Sequence, residues 1–179
     1  MDSPDPVAVA LEGGKSIRVW GRLDRVDRVN GPGDEFVVWD YKTGGASSYR
    51  TSPPFNQGRV LQHFLYMEVA AARLRKLYGA ARVRTSGYFL PSYRGVGERI
   101  AYTPAQLEVG RAIVADLCRL AADGAFLATD DAGDCRICDF QPICGDCDAV
   151  ANAAKIKMTD PTGLLDAYRR LRGENGSES

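Results

Sequence analysis

Gly21-Arg22-Leu23-Asp24-Arg25-Val26-Asp27 and, further on, Phe36-Val37-Val38-Trp39-Asp40-Tyr41-Lys42-Thr43-Gly44 decide how this chain is read. Phe36 to Trp39 is a nearly continuous apolar run, the pattern of a central strand covered on both faces. Asp40 and Lys42 stand two apart on that strand, so both project from one face. Asp24 lies at the end of the preceding strand, and antiparallel pairing across the turn Asn30-Gly31-Pro32-Gly33-Asp34 brings its carboxylate toward Asp40. Two carboxylates converging at a strand end repel unless a cation neutralises them, and oxygen-only ligands suit Mg²⁺ or Mn²⁺. Lys42 beside such an ion would hold a water or stabilise charge developing on a phosphate oxygen. Carboxylates, ion and lysine together describe phosphodiester hydrolysis by metal-activated water. A plainer account also fits: Asp-x-Lys strand ends are common, and Asp24 and Asp27 would pair with Arg22, Arg25 or Arg28 on an exposed strand.

Outward from this stretch the chain reads as mixed structure. Val7, Val9 and Leu11 alternate with smaller or polar neighbours, and Glu12-Gly13-Gly14-Lys15 signals a hairpin into Ile17 and Val19. Residues 43–57, rich in Gly, Ser and Pro, predict an irregular loop. Arg59 to Tyr78 carries helical spacing through Val60, Phe64, Met67 and Ala71, and Gly79 supplies its stop. Val83 to Leu90 returns to strand, with Ile100 in a hairpin partner. Thr103-Pro104-Ala105-Gln106 is a helix start with Thr as N-cap, and that helix is expected to run to Asp123 and end at Gly124. Two shorter helices follow, near Asp148–Lys157 and from Asp160-Pro161 to Leu171. The order predicts an α+β or mixed α/β class with one sheet. The expected division is a core over 1–130, a Cys-rich loop with C-terminal helices over 131–172, and a disordered tail over 173–179.

The 179 residues are 45% hydrophobic and 26% charged, a globular profile that excludes general disorder. No run of 18 apolar residues exists, so a helical membrane span is not expected. Met1-Asp2-Ser3-Pro4-Asp5-Pro6 has neither a positive n-region nor an apolar h-region, so the expected location is the cytoplasm. Formal charges cancel, but residues 15–99 carry 15 basic and 7 acidic side chains while 100–179 carry 8 and 13. A basic first half suits a polyanion such as DNA, and equally suits solvated Arg-rich faces.

Cys135-x2-Cys138-x5-Cys144-x2-Cys147 puts four thiols on a short loop, a spacing that favours a metal over disulfides. Thiolates select Zn²⁺ or an iron–sulfur cluster. Cys118, inside the predicted 103–123 helix, is expected to be a buried small hydrophobe.

The order of these motifs resembles the nuclease core of the PD-(D/E)xK superfamily, and specifically the RecB/AddB-type exonuclease domain that ends bacterial helicase–nucleases. Gln62-x-x-x-Tyr66 and the cysteines Cys135, Cys138 and Cys144 are similar to further motifs of that family, so the resemblance runs from about residue 15 to 147. It implies a restriction-endonuclease-like core, with a mainly antiparallel or mixed central sheet flanked by helices and a Cys-rich C-terminal appendage. It implies that Asp24 and Asp40 bind the metal, that the Tyr41 backbone carbonyl is a further ligand, and that Lys42 is the catalytic lysine. Gln62 and Tyr66, one helical turn apart, would approach the metal site or the DNA backbone, although Tyr66 also fits an amphipathic core tyrosine. His63 is expected to be a flanking residue. A [4Fe–4S] cluster is implied on the three cysteines with a fourth from upstream; Cys147 would replace that one, stand by, or complete a zinc site. DNA and a helicase are the implied partners, in repair and recombination.

The family's first helix, which carries another metal ligand, has no counterpart in the 23 residues ahead of Asp24, and Glu12 is a poor substitute. The expectation is therefore a C-terminal piece of a longer protein, with full activity of this piece in doubt. Three readings stand: an active metal-dependent deoxyribonuclease, a catalytically silent DNA-end-binding module of the same fold, and a small zinc-binding interaction domain. The joint presence of Asp24, Asp40, Lys42 and Gln62 speaks for the first.

Overall fold

The computed structural model describes residues 5–29, 33–50 and 55–173. By compactness the chain forms two units, Met1–Ala115 and Asp116–Ser179. The first holds all six strands found among the described residues. β1 (Val7–Ala10) and β2 (Ser16–Val19) form a hairpin of their own, in register Val7 with Val19. β3 (Arg25–Arg28), β4 (Glu35–Tyr41), β5 (Arg82–Leu90) and β6 (Glu98–Tyr102) form a mixed sheet in that order, antiparallel except for the parallel pair β4–β5. The mixed α/β class holds, whereas the single sheet expected from the strand pattern is two. Positions 30–32 of the expected Asn30–Asp34 turn, positions 51–54 of the expected loop and positions 174–179 of the expected tail lie outside the described residues.

The parallel pair is joined by α1 (Gln62–Tyr78), because parallel neighbours require a crossover and the helix buries its apolar stripe on the sheet. Phe64, Met67, Ala70, Ala71 and Leu74 pack with Phe36, Val38, Val83 and Leu90 into the main core. Gly79, at φ +70°, ends the helix as expected. On β4, Phe36, Val38 and Asp40 are buried while Val37 and Trp39 are half-buried. One face of the strand is therefore closed and the other partly covered, not both closed.

A register slip between Phe36 and Val37 leaves Arg84 of β5 without a pairing partner. That extra residue inverts the alternation, so Val83 and Tyr88, an odd number of positions apart, both turn inward.

The capping box at Thr103 forms as read: the Thr103 Oγ1 accepts from Gln106 N at 3.4 Å and Gln106 Oε1 accepts from Thr103 N at 2.9 Å. The helix it starts is interrupted, giving α2 (Pro104–Leu107) and α3 (Gly110–Ala122). Bonds through the break run three residues back, Glu108 N to Ala105 O and Arg111 N to Glu108 O. The chain there lies so close to two rings that a Cβ on Gly110 would meet Phe64 at 2.6 Å and Phe55 at 2.9 Å. Cys118 is exposed, not buried. The buried positions of α3 step through Gly110, Val114 and Leu120, and Cys118 falls off that stripe beside exposed Arg119.

The second unit packs Leu120, Ala125, Leu165 and Ala167 around Leu127, Tyr168 and Leu171. It holds α4 (Gln141–Cys144), α5 (Cys147–Met158) and α6 (Asp166–Arg172), and the Arg172–Asp130 ion pair at 2.9 Å pins the last helix to the loop ahead of the cysteines.

His63 is a core residue at 1% exposure, not a flanking one. Its Nδ1 lies 2.9 Å from the Tyr88 hydroxyl and its ring stacks on Phe55, while Nε2 is buried with no partner. Burial pushes its pKa down to about 4, against 6.5 in the unfolded chain. Between those values the unfolded state binds the extra proton, so stability is lost as pH falls through 6.5. Urea unfolding should show the protein losing about 2 kcal/mol by pH 5 relative to a His63→Gln variant. A constant difference between pH 7 and 5 would mean that His63 charges freely in the folded state.

Candidate active site

Asp40 is the last buried residue of β4, at 4% exposure, and it faces the same side as Phe36 and Val38. A helix that crosses between parallel strands runs back antiparallel to them, which sets the start of α1 over the carboxyl end of β4. Gln62, the first residue of α1, spans the gap. Its Nε2 donates to Asp40 Oδ1 at 3.2 Å and to the Tyr66 hydroxyl at 2.9 Å, and its Oε1 accepts from Lys42 Nζ at 2.8 Å. Only this amide orientation serves both ends, since reversing it would aim an N–H at the ammonium. Lys42 Nζ lies as an ion pair against Asp40 Oδ2, an oxygen that is otherwise buried without a hydrogen bond of sound geometry.

Asp24 stands just ahead of β3 rather than at a strand's far end. Because Arg25 pairs with Trp39, the ladder leads Asp24 toward the level of Asp40. Its Oδ2 accepts from Tyr41 N at 2.9 Å, so the two acids meet across the β3–β4 edge. Burial pushes the Asp40 carboxyl above its ordinary range, Lys42 opposes the rise, and the nearby Asp24 carboxylate adds to it.

The plainer account of this stretch holds in part. Asp27 pairs with Arg25 at 2.7 Å on the open side of β3. Asp24 and Asp40 instead face each other, with Lys42, Gln62 and Tyr66 gathered around Asp40. Tyr66 touches the site through Gln62, and a Cβ on Gly21 would meet its ring at 3.4 Å.

Two residues that the reading of the sequence missed complete the surroundings. Lys42 Nζ sits 5.7 Å from the Tyr88 ring centroid and 5.9 Å from that of Tyr49. Tyr88 is the ladder partner of Asp40. Its approach depends on the register slip at Phe36, which leaves no mark in the sequence pattern.

The donor set suits a hard divalent ion. Two mutually repelling carboxylates with a single ammonium, Lys42, against the buried one form an anionic notch, and Mg²⁺ needs only one or two carboxylates because it keeps waters and takes substrate phosphates. Among the described residues no group of three or more His, Cys, Asp or Glu stands ready to hold a metal ion.

A family model of the PD-(D/E)XK nuclease superfamily matches residues 2–145. The chain belongs to that superfamily. No curated protein and no solved structure matches it. Nucleases of this superfamily generally work with divalent metals such as Mg²⁺, and the mixed sheet flanked by helices is the restriction-endonuclease-like fold they share. Among the described residues no helix is long and apolar enough to cross a membrane.

The superfamily match ends inside the cysteine loop. There Cys135 is buried, Cys147 half-buried, and Cys138 and Cys144 exposed. A hydrogen bond with Cys147 pushes the Cys135 thiol up to about 11, with its burial and the repulsion of its thiolate by Cys147, Cys138 and Cys144 adding to it. The four thiols are neighbours without closing into a ligand shell.

The charges around Asp40 can be separated by titration. Carboxyl-carbon NMR should find the Asp40 pKa lower in Asp24→Asn, which removes a like charge, and higher in Lys42→Met, which removes the opposing cation. An Asp40 pKa that ignores both changes would mean that the three groups do not share one site.

Proposed function

We propose that the protein is a Mg²⁺- or Mn²⁺-dependent deoxyribonuclease of the RecB type, hydrolysing phosphodiester bonds as the nuclease part of a helicase–nuclease in DNA repair and recombination. The observation that carries this reading is the Gln62 amide, which ties Lys42 to Asp40 while Asp24 closes on the same point. The i,i+4 bond between Gln62 and Tyr66 supports the RecB-type motif, because it gives both residues one task.

Asp24, Asp40 and the Tyr41 carbonyl would hold the divalent ion, whose contribution is to polarise the phosphate and make a bound water acidic. Lys42 acts as a fixed cation. Pinned by Asp40 and Gln62, it donates toward a phosphate oxygen or orients the attacking water, and it does not have to be reorganised when charge develops. Gln62 positions Lys42, and Tyr66 positions Gln62. Basic side chains of the first unit bind backbone phosphates without reading sequence.

For Cys135, Cys138, Cys144 and Cys147 the proposal is a [4Fe–4S] cluster, with Zn²⁺ as the competing occupant. Their nearness supports it; their open arrangement means that ligation would draw the loop together, and the free energy of binding would then stabilise the second unit. Iron, sulfide and zinc analysis of anaerobically purified protein separates the two, and metal-free protein of unchanged thermal stability would refute both.

A silent DNA-binding module is favoured by one observation, the presence of only two acids at the site among the described residues. Labelled linear DNA with Mg²⁺ or Mn²⁺ decides between them. Lys42→Ala should cut on the order of 10²–10³-fold more slowly than the natural chain, as for loss of one preorganised charge, and Asp40→Asn at least as slowly. Equal degradation by Lys42→Ala and the natural chain would sink the hydrolytic reading. Salt-sensitive DNA binding without cleavage would support the silent one.

A further inference from the structure

The loop joining β5 to β6 is tied to the strand that bears Asp40 and Lys42. Ser92 Oγ donates to the carbonyl of Thr43, the residue after Lys42, at 2.8 Å, and Lys42 N donates to Phe89 O at 3.0 Å. From this anchor the loop rises into a tip that is stiff. Val96 N bonds Ser92 O at 2.8 Å, Gly97 N bonds Leu90 O at 2.9 Å, and Gly95 N reaches both the carbonyl and the hydroxyl of Ser92. A Cβ on Gly95 would stand 2.3 Å from the Leu90 Cβ, so the turn accepts only glycine there. Val96 is held at φ +52°, a conformation that β-branched residues rarely adopt. Strain of this kind is retained where the surrounding structure serves a task.

The apolar residues of this tip point into solvent. Tyr93 is 83% exposed and Val96 is 86% exposed. Arg94 lies along Tyr93, its Nε donating to the hydroxyl at 2.9 Å and its guanidinium 5.6 Å from the ring centroid. A rigid aromatic ring with a cation on its edge, one residue from a direct bond to the catalytic strand, matches the chemistry of an unpaired nucleotide: a base face for the ring and a phosphate for the arginine. The basic surplus of residues 15–99 favours the same occupant.

We propose that the β5–β6 tip is a stacking platform for DNA at the site, with Tyr93 taking a base that has left its stack and Arg94 the adjoining phosphate. The inference rests on the nuclease reading and extends it: the tip selects DNA with an unpaired base beside the scissile phosphate over a closed duplex.

The test measures binding of labelled oligo(dT), and of a labelled, relaxed, covalently closed circular duplex sealed without any loop or end, to the full chain carrying Lys42→Ala in Mg²⁺. Tyr93→Phe in that background should bind the oligonucleotide within about twofold of its parent, and Tyr93→Ala about tenfold more weakly, the order of one base–aromatic stack. The sealed duplex should not distinguish them. Emission of a 2-aminopurine placed in the oligonucleotide should fall on binding the Tyr and Phe forms and stay high with Ala. Equal oligonucleotide affinity of the Ala variant and its parent would overturn the stacking role while leaving the nuclease reading intact. An equal loss on both DNAs would overturn it too, by marking a backbone contact. A parent that binds no DNA, together with a natural chain that cuts none, removes both readings.

Discussion

A carboxylate that water barely reaches is the constraint on which the site depends. Asp40 lies under α1 at the end of a buried strand face, and an isolated charge there would be costly or would take up a proton. Lys42 compensates it from two residues along the same strand, and Gln62 accepts from one partner and donates to the other. Removing any of the three leaves a buried polar group unmatched, which costs more than the lost bond itself. Asp24 works against this compensation, since a second carboxylate makes the site still more hostile to negative charge. The arrangement is thus stable enough to fold, yet it remains short of positive charge. A divalent ion held there, as proposed, would correct that deficit.

How this arrangement comes about depends on which signals are local. Asp40 and Lys42 share a face because strand geometry has period two, and that needed no knowledge of the rest of the chain. The capping box at Thr103, the stop at Gly79 and the hairpin at Gly13-Gly14 are likewise written in adjacent residues. What stayed hidden is set by contacts distant in sequence. The break ahead of Gly110 lies where the rings of Phe55 and Phe64 leave no room for a Cβ, whereas the local pattern alone predicts a single helix. A lone histidine next to Gln62 carries no periodic signal, so the pattern predicts a flanking residue; its burial follows from Phe55, Tyr88 and Tyr102 closing around it. The separate β1–β2 hairpin has the same strand pattern as the main sheet and differs only in its partners.

The register slip in β5 is the clearest case. One extra residue, Arg84, turns Tyr88 from the open side of the sheet to the side of the site. There its ring lies near Lys42 and its hydroxyl near His63, so a main-chain irregularity far from the chemistry sets the surroundings of the lysine. Alternation read without the slip would have put Phe89 in that place. Bulges near active sites commonly re-aim a side chain in this way.

The same strand carries a second consequence at its other end. Where β5 leaves the sheet, the chain is bonded to Thr43 before it turns, so the tip bearing Tyr93 cannot shift without pulling on the residue next to Lys42. A loop that merely connected two strands would gain nothing from a valine at positive φ or from a glycine wedged against Leu90. Those features, with the Ser92–Thr43 bond, tie the tip to the strand end that bears Asp40 and Lys42, which is what the proposed platform requires. One continuous piece of main chain, Arg82 to Tyr102, thus runs from the buried Tyr88 beside Asp40 to the exposed tip proposed to meet the nucleotide.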